Sequence, residues 1–355
     1  MRSISVGYLR KNIDAMAGYT PGEQPGEGER IVKPNTNENP YPPSPRVVQA
    51  LRDLAPERLR RYPDPMANKV RDIIAEMNGV GRGNVLCGNG SDELLTLVVR
   101  AVVGEGGAIA YPTPTYSLYP VLAEIQGAGV IEVPAREDFA MPLEDLERVK
   151  APLLILCNPN APTGVFTAVE TIGRIAERFR GVVVVDEAYV DFAADQAMRL
   201  AKQRPNVLVF RTLSKSYSLA GLRFGYAVGP AELISGLEKV KDSYNVDAVS
   251  IALAAAALQD QDWMRANAEK IRAERARLSG RLAALGFAVT PSEANFILAA
   301  VPGGDGGAWY KGLKNRGILV RWWDLPRLAD KVRITVGTPQ ENEALLAAAE
   351  QRVRG

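Results

Sequence analysis

The stretch VVVVDEAY, residues 182–189, decides the fold class of this 355-residue chain. Four consecutive valines are typical of a short strand with both faces buried, as in the middle of a parallel sheet. The acidic pair Asp186 and Glu187 follows at the carboxyl end of that strand, where open α/β sheets bind ligands. A carboxylate there needs a cation or a donor as its partner, and the spacing alone allows either residue to fill that position. The alternative for Asp186 is a plain capping role.

Apolar runs and helical patterns alternate on both sides of this stretch. Buried strands are predicted at 107–110, 129–133, 153–156 and 206–210. Helices are predicted at 46–55, 67–77, 93–103 and 117–126, and a Thr-x-x-Glu capping box at Thr167 and Glu170 predicts the start of another. This alternation predicts an α/β fold with a mostly parallel, doubly wound sheet.

The two ends of the chain have a different character. Residues 1–45 are rich in Pro, Gly and Asn and predict an irregular arm. After Asp247, one long helical stretch, 248–285, precedes amphipathic strands at 288–290, 296–301, 317–322 and 331–336. We therefore expect three parts: an arm at 1–45, a large domain at 46–246 and a smaller α/β domain at 247–355.

Composition excludes several classes of function. With 43 basic and 41 acidic residues the net charge is +2, so no strong field points to nucleic acid or an anionic membrane. Without histidine the chain cannot form a Ser-His-Asp triad, a Cys-His pair or an HExxH zinc site. Two cysteines suffice for neither a four-cysteine metal site nor a disulfide framework. No secretory leader or membrane-spanning run is apparent, and we expect a cytoplasmic protein.

Two further segments contain residues suited to chemistry. The stretch GNGSDE, 88–93, comes just before a predicted helix, so it either holds a phosphate at the helix N-terminus or is an ordinary cap. The stretch 211–226 places Lys215 after a buried strand, among Ser214, Ser218 and Arg223. A lysine in a polar, partly buried pocket can lose its proton and act as nucleophile and base, whereas an ordinary loop lysine is solvated. Together with Asp186, these features fit the chemistry of pyridoxal phosphate.

Nine motifs in order extend this interpretation to the whole chain. They are NENPY (37–41), RYPDP (61–65), GNGSDE (88–93), YPTPTYSLY (111–119), NPNAPTG (158–164), VVVDEAYVDF (183–192), RTLSKSYSLAGLRFGY (211–226), PSEANF (291–296) and VRITVGT (332–338). On these motifs the chain resembles the fold type I pyridoxal-phosphate aminotransferases, and within them the enzymes that act on histidinol phosphate.

The resemblance implies roles for the cofactor residues. Lys215 would bind the aldehyde of the cofactor as a Schiff base and later move the α-proton, Asp186 would hold the pyridine nitrogen, and Tyr189 the 3′ oxygen. The remaining implied cofactor residues are Tyr116 on the ring face, Gly90, Ser91, Asp92, Ser214 and Arg223 at the phosphate, and Tyr62 from a second subunit, which implies a homodimer. One position departs from the pattern: where many relatives carry Asn before PTG, this chain has Ala161. We therefore expect Asn160 to supply that amide.

The resemblance also implies the substrate pocket and the reaction. Arg333 and Arg321 would bind the substrate carboxylate or phosphate, and a pair of guanidiniums suits a dianion. Tyr19, Asn37 and Asn295 would complete the pocket, with the arm acting as a lid. The implied reaction is ping-pong exchange between glutamate and imidazole acetol phosphate, giving 2-oxoglutarate and histidinol phosphate.

Four alternatives are weighed against this interpretation. An aromatic aminotransferase or a threonine-phosphate decarboxylase would keep the cofactor residues and differ in the pocket. A cofactor-sensing transcription regulator would need a DNA-binding domain ahead of Asn37. Only 36 residues stand there, and the segment is not strongly basic. A nicotinamide-binding protein would need a true GxGxxG motif, which GVGRGN at 79–84 does not provide.

Overall fold

A computed structural model describes residues 7–26 and 31–354, and within them the chain forms a large sheet and a small one. Residues 1–6 and 27–30 of the predicted arm lie outside the described residues. The strands are β1 (Val85–Gly88), β2 (Ala108–Thr113), β3 (Gly129–Pro134), β4 (Leu153–Cys157), β5 (Val182–Asp186), β6 (Val207–Thr212), β7 (Gly225–Val228), β8 (Ala288–Val289), β9 (Phe296–Ala300) and β10 (Lys331–Thr335).

The helices surround and connect these strands. They are α1 (Lys11–Ala15), α2 (Pro45–Arg52), α3 (Asn68–Asn78), α4 (Ser91–Val102), α5 (Leu118–Gln126), α6 (Leu143–Arg148), α7 (Val169–Arg178), α8 (Met198–Gln203), α9 (Ala231–Glu238), α10 (Ala248–Leu258), α11 (Gln261–Ala284), α12 (Gly306–Lys314) and α13 (Pro339–Arg354).

The large sheet has seven strands in the order β1-β7-β6-β5-β4-β2-β3. The pairs from β3 through β2, β4 and β5 to β6 are parallel, and β7 runs antiparallel to both of its neighbours. Every residue of β4 is buried, and so are the last four of β5. Because successive side chains of a strand point to opposite faces, both faces of the sheet are covered there. The predicted α/β fold with a mostly parallel sheet is confirmed.

The order of the strands places a crevice beside β4. After β3 the chain returns to the other side of β2 and adds β4, β5 and β6 in turn, so the direction of winding reverses between β2 and β4. Ligands of such sheets bind at this switch point, outside the carboxyl ends of the strands. Cys157 and Asp186 end β4 and β5 and are paired in register, which brings the loops that follow them to one edge.

The small sheet is antiparallel, in the order β10-β9-β8. In β10, Val332 and Ile334 are buried in the core, while Arg333 lies on the opposite face as the alternation predicts. The described part of the arm joins this sheet: Val32 forms a parallel bridge to Ile318, and the Thr335 N–H donates to the Pro34 carbonyl over 2.8 Å.

The predicted helix 248–285 is wrong as one element, because it is two helices. The backbone leaves the helical region at Asp260, with φ of −120° and ψ of 61°. The Asp260 carboxylate accepts a short hydrogen bond from the Ser44 hydroxyl, which also accepts from the Arg46 N–H at the start of α2. The break therefore ties the two helices to the end of the arm.

Two other predicted features are also wrong, the capping box at Thr167 and Glu170 and the strand 317–322. The helix predicted to begin near Thr167 is present and begins at Val169, but its N-cap is Ala168 without a side-chain cap, and the Thr167 N–H that the box would pair with Glu170 donates to Asn158 Oδ1 over 2.7 Å. The predicted strand 317–322 divides between two partners and forms only isolated bridges, one from Ile318 to the arm and one from Arg321 to Arg333. The division of the chain into an arm and two domains stays a prediction. Across the described ranges, the helices are all too short or too polar to cross a membrane.

Candidate active site

A cavity of about 750 Å³ opens at the carboxyl ends of the parallel strands. Its walls come from the loops after β2, β4, β5 and β6, from the arm, and from the segment before β10. The predicted site residues that line it are Tyr19, Asn37, Ser91, Asp92, Tyr116, Tyr189, Ser214, Lys215, Arg223, Arg321 and Arg333. Residues from both ends and the middle of the sequence therefore meet in one place.

Lys215 lies on the loop after β6, and hydrogen bonds from both its backbone and its side chain fix its position. The Asn39 side chain donates to the Lys215 carbonyl over 3.0 Å, and Lys215 Nζ donates to the Thr36 carbonyl over 3.3 Å. Burial, aided by the positive charges of Arg333 and Arg223, lowers the pKa of the Lys215 ammonium to about 8. A neutral amine is therefore accessible near neutral pH, as a nucleophile and base requires.

The structure separates the two acids that spacing alone left equivalent. Glu187 is paired with Arg211, whose Nε and Nη2 donate over 3.0 and 2.8 Å. The Asp186 carboxylate is also buried, but its Oδ1 accepts no hydrogen bond from the described residues. Burial raises the pKa of Asp186 to about 6. Asp186 is thus the acid that remains available for a cationic ligand.

Tyr189 is fixed by an amide that the family resemblance assigns to substrate. Asn37 Nδ2 donates to the Tyr189 hydroxyl over 3.0 Å, and Asn37 Oδ1 accepts from the Thr335 hydroxyl over 3.0 Å. Asn295 is buried beneath and donates to the Asn37 carbonyl over 3.0 Å. Because the phenol oxygen accepts from Asn37, its own proton remains available to a ligand in the cavity.

Arg223 and the N-terminus of α4 form a cradle for an anion. Arg223 donates from Nη1 to the Ser214 hydroxyl over 3.4 Å and lies 3.4 Å from Asp92 Oδ2. A Cβ at Gly90 would lie 2.6 Å from the Arg223 guanidinium, so only glycine, at a φ of +82°, lets that group approach. Ser91 begins the twelve-residue helix α4, whose first N–H groups have no partner within the helix.

A pair of arginines, Arg321 and Arg333, also lines the cavity. Both guanidiniums contact the ring of Trp323, at 5.2 and 5.1 Å from its centroid. Arg333 Nη2 donates to the Asn35 carbonyl over 2.7 Å, and its buried Nε has no partner among the described residues. Burial, with a smaller contribution from the charge of Arg321, lowers the pKa of Arg333 to about 10. An anionic ligand would compensate both charges.

The arm forms part of the cavity wall. The Tyr19 ring contacts the Tyr116 ring edge-on, at 6.0 Å between centroids, and the Arg321 Nη1 donates to the Pro21 carbonyl over 3.3 Å. Glu23 anchors the arm through the Tyr310 hydroxyl and Lys314. The arm is therefore packed over the site rather than detached from it.

Five predicted site residues do not line the cavity: Asp186, Gly90, Asn295, Asn160 and Tyr62. Gly90 lies against the Arg223 guanidinium, and Asn295 donates to the Asn37 carbonyl. Asn160 uses both amide hydrogens within its own surroundings, on the Pro114 carbonyl and the Thr163 hydroxyl, each over 2.9 Å. It therefore has no donor left for a ligand, and Ala161 lines the cavity instead. Tyr62 is 81% exposed and stacks on Tyr244.

The structure adds residues that sequence reasoning missed. Trp323 contacts both arginines, Arg327 lines the cavity and donates to the Ala135 carbonyl over 2.8 Å, and Tyr119 donates to Asp186 over 2.8 Å. Only Tyr119 had a local signal, since it lies three residues after Tyr116 in the same motif.

Comparison with known proteins identifies the family of this chain and its relatives. Residues 29–348 match the model of the family described as aminotransferase class I and II. A protein of Nostoc sp. named histidinol-phosphate aminotransferase 1 is 46% identical over 341 residues, covering 96% of this chain and 97% of that protein.

Solved structures agree in fold. The histidinol-phosphate aminotransferase of Sinorhizobium meliloti, in complex with pyridoxal-5′-phosphate, superposes with a TM-score of 0.89 at 27% identity, covering 99% of both chains. The L-threonine-O-3-phosphate decarboxylase of Porphyromonas gingivalis reaches a TM-score of 0.81 at 23% identity, covering 92% of this chain and 100% of that one. At that identity the second likeness concerns the fold alone.

Proposed function

Because this chain belongs to the class I and II aminotransferase family, we propose that it interconverts histidinol phosphate and 2-oxoglutarate with imidazole acetol phosphate and glutamate. It is a pyridoxal-phosphate-dependent transaminase of the histidinol-phosphate group. The observation that carries the proposed substrate is the pair of cations, Arg321 and Arg333, in the cavity that contains Lys215. That pair matches a substrate with a phosphate at one end, and the reaction belongs to histidine biosynthesis.

The residues present fit pyridoxal phosphate at three points. The unsatisfied Asp186 Oδ1 fits a protonated pyridine nitrogen, and the Tyr189 proton fits an oxygen beside it. The cradle of Arg223, Ser214 and the α4 N-terminus, open because position 90 is glycine, fits the phosphate. When bound, the cofactor supplies an aldehyde that takes up the amino group and a ring that delocalises the electron pair left by the α-proton.

Each wall of the cavity then has its own task. Lys215, as a neutral amine, takes the α-proton of the amino donor and, in the half-reaction with the acceptor, returns a proton to the α-carbon. Asp186 would keep the ring nitrogen of the bound cofactor protonated, and the Tyr116 ring, which lines the cavity, would cover one face of the cofactor. Arg333 and Arg321 hold the anionic groups of glutamate and of histidinol phosphate in turn, so donor and acceptor use one cavity successively.

The pH dependence of Lys215 gives a first test. The rate at which pyridoxal phosphate is captured by the cofactor-free protein should rise with pH and level off above about 8, because only the neutral amine reacts. Removing the positive charge at Arg333 should move the profile to higher pH. Stopped-flow absorbance measures both. A wild-type rate that keeps rising past a pH of about 10, as for a solvated lysine, would contradict this placement of Lys215.

Half-reactions test the substrate. We expect histidinol phosphate to convert the holoenzyme from the aldehyde to the amine form of the cofactor faster than phenylalanine or tyrosine at equal concentration, because only it offers a dianion to Arg321 and Arg333. Absorbance with each amino donor alone measures this. Equal or faster conversion by the aromatic amino acids would make the chain a general aromatic aminotransferase. Carbon dioxide release from threonine phosphate would make it a decarboxylase.

The proposed enzyme is a cytoplasmic homodimer with shared sites. Tyr62 and Tyr244 form an exposed stack with 4.4 Å between ring centroids, and exposed aromatic pairs of this kind suit an interface. We assign Tyr62 to the cofactor phosphate of the partner subunit. Both cysteines are buried free thiols, in keeping with a reducing compartment. Sedimentation equilibrium of the holoenzyme tests the dimer.

A further inference from the structure

We infer that Tyr119 is a positioning residue for this reaction: its hydroxyl fixes the Asp186 carboxylate so that Oδ1 is held ready for the protonated ring nitrogen of the cofactor. The inference rests on the proposed function, because it assigns a task within the same cofactor site. It concerns a residue on the first turn of α5, an element that carries none of the residues assigned to the cofactor above.

The contact between the two side chains is direct and buried. The Tyr119 hydroxyl donates to Asp186 Oδ2 over 2.8 Å, and both residues are almost completely excluded from solvent. The other carboxylate oxygen, Oδ1, has no partner among the described residues. One oxygen is therefore tied to the protein, and the other stays available to the ligand. A buried acceptor without a partner is costly, so the geometry calls for a donor at Oδ1.

Tyr119 itself is held in one orientation. Its ring packs edge-on against Tyr116 at 5.7 Å between centroids and tilted against Tyr111 at 5.9 Å. Its N–H donates to the Tyr116 carbonyl over 3.2 Å. One short segment therefore carries both the Tyr116 ring, which we assign to the face of the cofactor, and the Tyr119 hydroxyl, which donates to Asp186. A rotation of Tyr119 would disturb this aromatic cluster, which is why the hydroxyl is a rigid donor.

The charges around Asp186 make this donor consequential. The groups that face the carboxylate are Tyr119 on α5, Asp92 on α4, Cys157 on β4, and Glu187 and Tyr189 just after β5. Burial and the acids raise the pKa of Asp186 to about 6, and the Tyr119 hydroxyl, with a smaller contribution from the Ala188 N–H, opposes that rise. A hydrogen bond to the charged form favours that form. Without the hydroxyl, Asp186 would take up a proton at a higher pH and cease to attract a protonated ring nitrogen.

The test compares Tyr119→Phe with the wild-type protein. Each full-length protein is freed of cofactor by dialysis, and its dissociation constant for pyridoxamine phosphate is measured by titration calorimetry at acidic, neutral and alkaline pH. This probe forms no covalent bond with Lys215, so the nucleophilic step of that lysine does not enter. The probe's own ionisations are the same for both proteins and cancel in the ratio of the two constants.

We expect that ratio to depend on pH. The variant should bind up to about tenfold more weakly at acidic pH, since a shift of one pKa unit is a factor of ten, and the ratio should fall toward one at alkaline pH, where Asp186 is ionised in both proteins. In an Asp186→Asn background the same substitution should leave no pH-dependent ratio. A ratio that is equal at every pH, or absent, would overturn the inference and assign the hydroxyl a purely structural role.

Two further variants guard against misfolding and against failure of the site itself. Tyr217→Phe removes another buried hydroxyl, one bonded to Gln261, and should leave the pH profile unchanged. If Tyr119→Phe does not fold, 3-fluorotyrosine at 119 keeps the ring and offers a more acidic donor, so it must shift the profile to lower pH. A shift to higher pH, or none, would contradict the inference. Failure of the wild-type protein to bind pyridoxamine phosphate would instead overturn the proposed function.

Discussion

Lys215→Ala should lower turnover with histidinol phosphate by at least about a thousandfold, because the proposed role of its amine is both to hold the cofactor and to move the α-proton. The folded protein should persist. The substitution removes a partly buried cation whose pKa is lowered by burial and by Arg333, so its loss relieves rather than creates an unfavourable charge. Steady-state kinetics and thermal unfolding measure the two effects separately.

The matched variant for this prediction is Lys215→Arg. It keeps a long cationic side chain but cannot supply a neutral amine, so we expect it to be as inactive as the alanine variant. Both variants should still bind the cofactor non-covalently, because the other residues that we assign to it, Asp186, Tyr189 and Arg223, remain. Residual activity above a small fraction of the wild-type rate in either variant would show that another group carries the proton.

Arg333→Ala should lower kcat/KM for histidinol phosphate by about 30-fold or more, because Arg333 is proposed to pair with the substrate anion and removing one partner of a buried charge pair costs about 2–5 kcal/mol. The Arg333 guanidinium is partly buried and contacts the rings of Trp323 and Phe296. Its Nε has no partner among the described residues, so a substrate anion would interact with it in a poorly solvated environment. Arg333→Lys keeps the charge but loses the planar fork, and we expect it to recover only part of the loss.

Controls for this prediction separate the site from general charge. Arg199 lies outside the cavity and forms exposed pairs with Asp195 and Glu170, which contribute little, so Arg199→Ala should leave kcat/KM within about twofold. Arg321→Ala should also weaken the binding of histidinol phosphate, because both guanidiniums contact the ring of Trp323. An Arg333→Ala enzyme with normal kcat/KM would remove Arg333 from the substrate site.

The parts of the fold that sequence could predict are those written in local pattern. The run of four valines and the neighbouring apolar runs predicted β5, β4 and β6, and the chain places Asp186 at the end of β5 and Lys215 just beyond β6, at one edge. Since the carboxyl ends of parallel strands meet, local pattern alone was enough to assign these two residues, from different strands, to one edge of the sheet.

What sequence could not predict depends on contacts between distant segments. The choice between Asp186 and Glu187 is made by Arg211 on the next strand, which pairs with Glu187 rather than with Asp186. The amide that fixes Tyr189 comes from Asn37, 152 residues away, while Asn160 is used up by its own surroundings. No periodicity or spacing records these hydrogen bonds.

The errors in predicting where helices begin and end have the same origin. In place of the Thr-x-x-Glu box, the Thr167 N–H donates to Asn158, and at the break at Asp260 the carboxylate accepts from the Ser44 hydroxyl of the arm. In each case a local preference of about 1 kcal/mol gave way to a tertiary hydrogen bond.

The most direct test of the account is to find which side chain binds the cofactor. The holoenzyme is reduced with borohydride, digested, and its peptides are mapped by mass spectrometry. We predict a single pyridoxyl adduct, on Lys215 and in near-stoichiometric yield, lost in Lys215→Ala. An adduct on another lysine, or none in an active preparation, would contradict the placement of the reaction in this cavity.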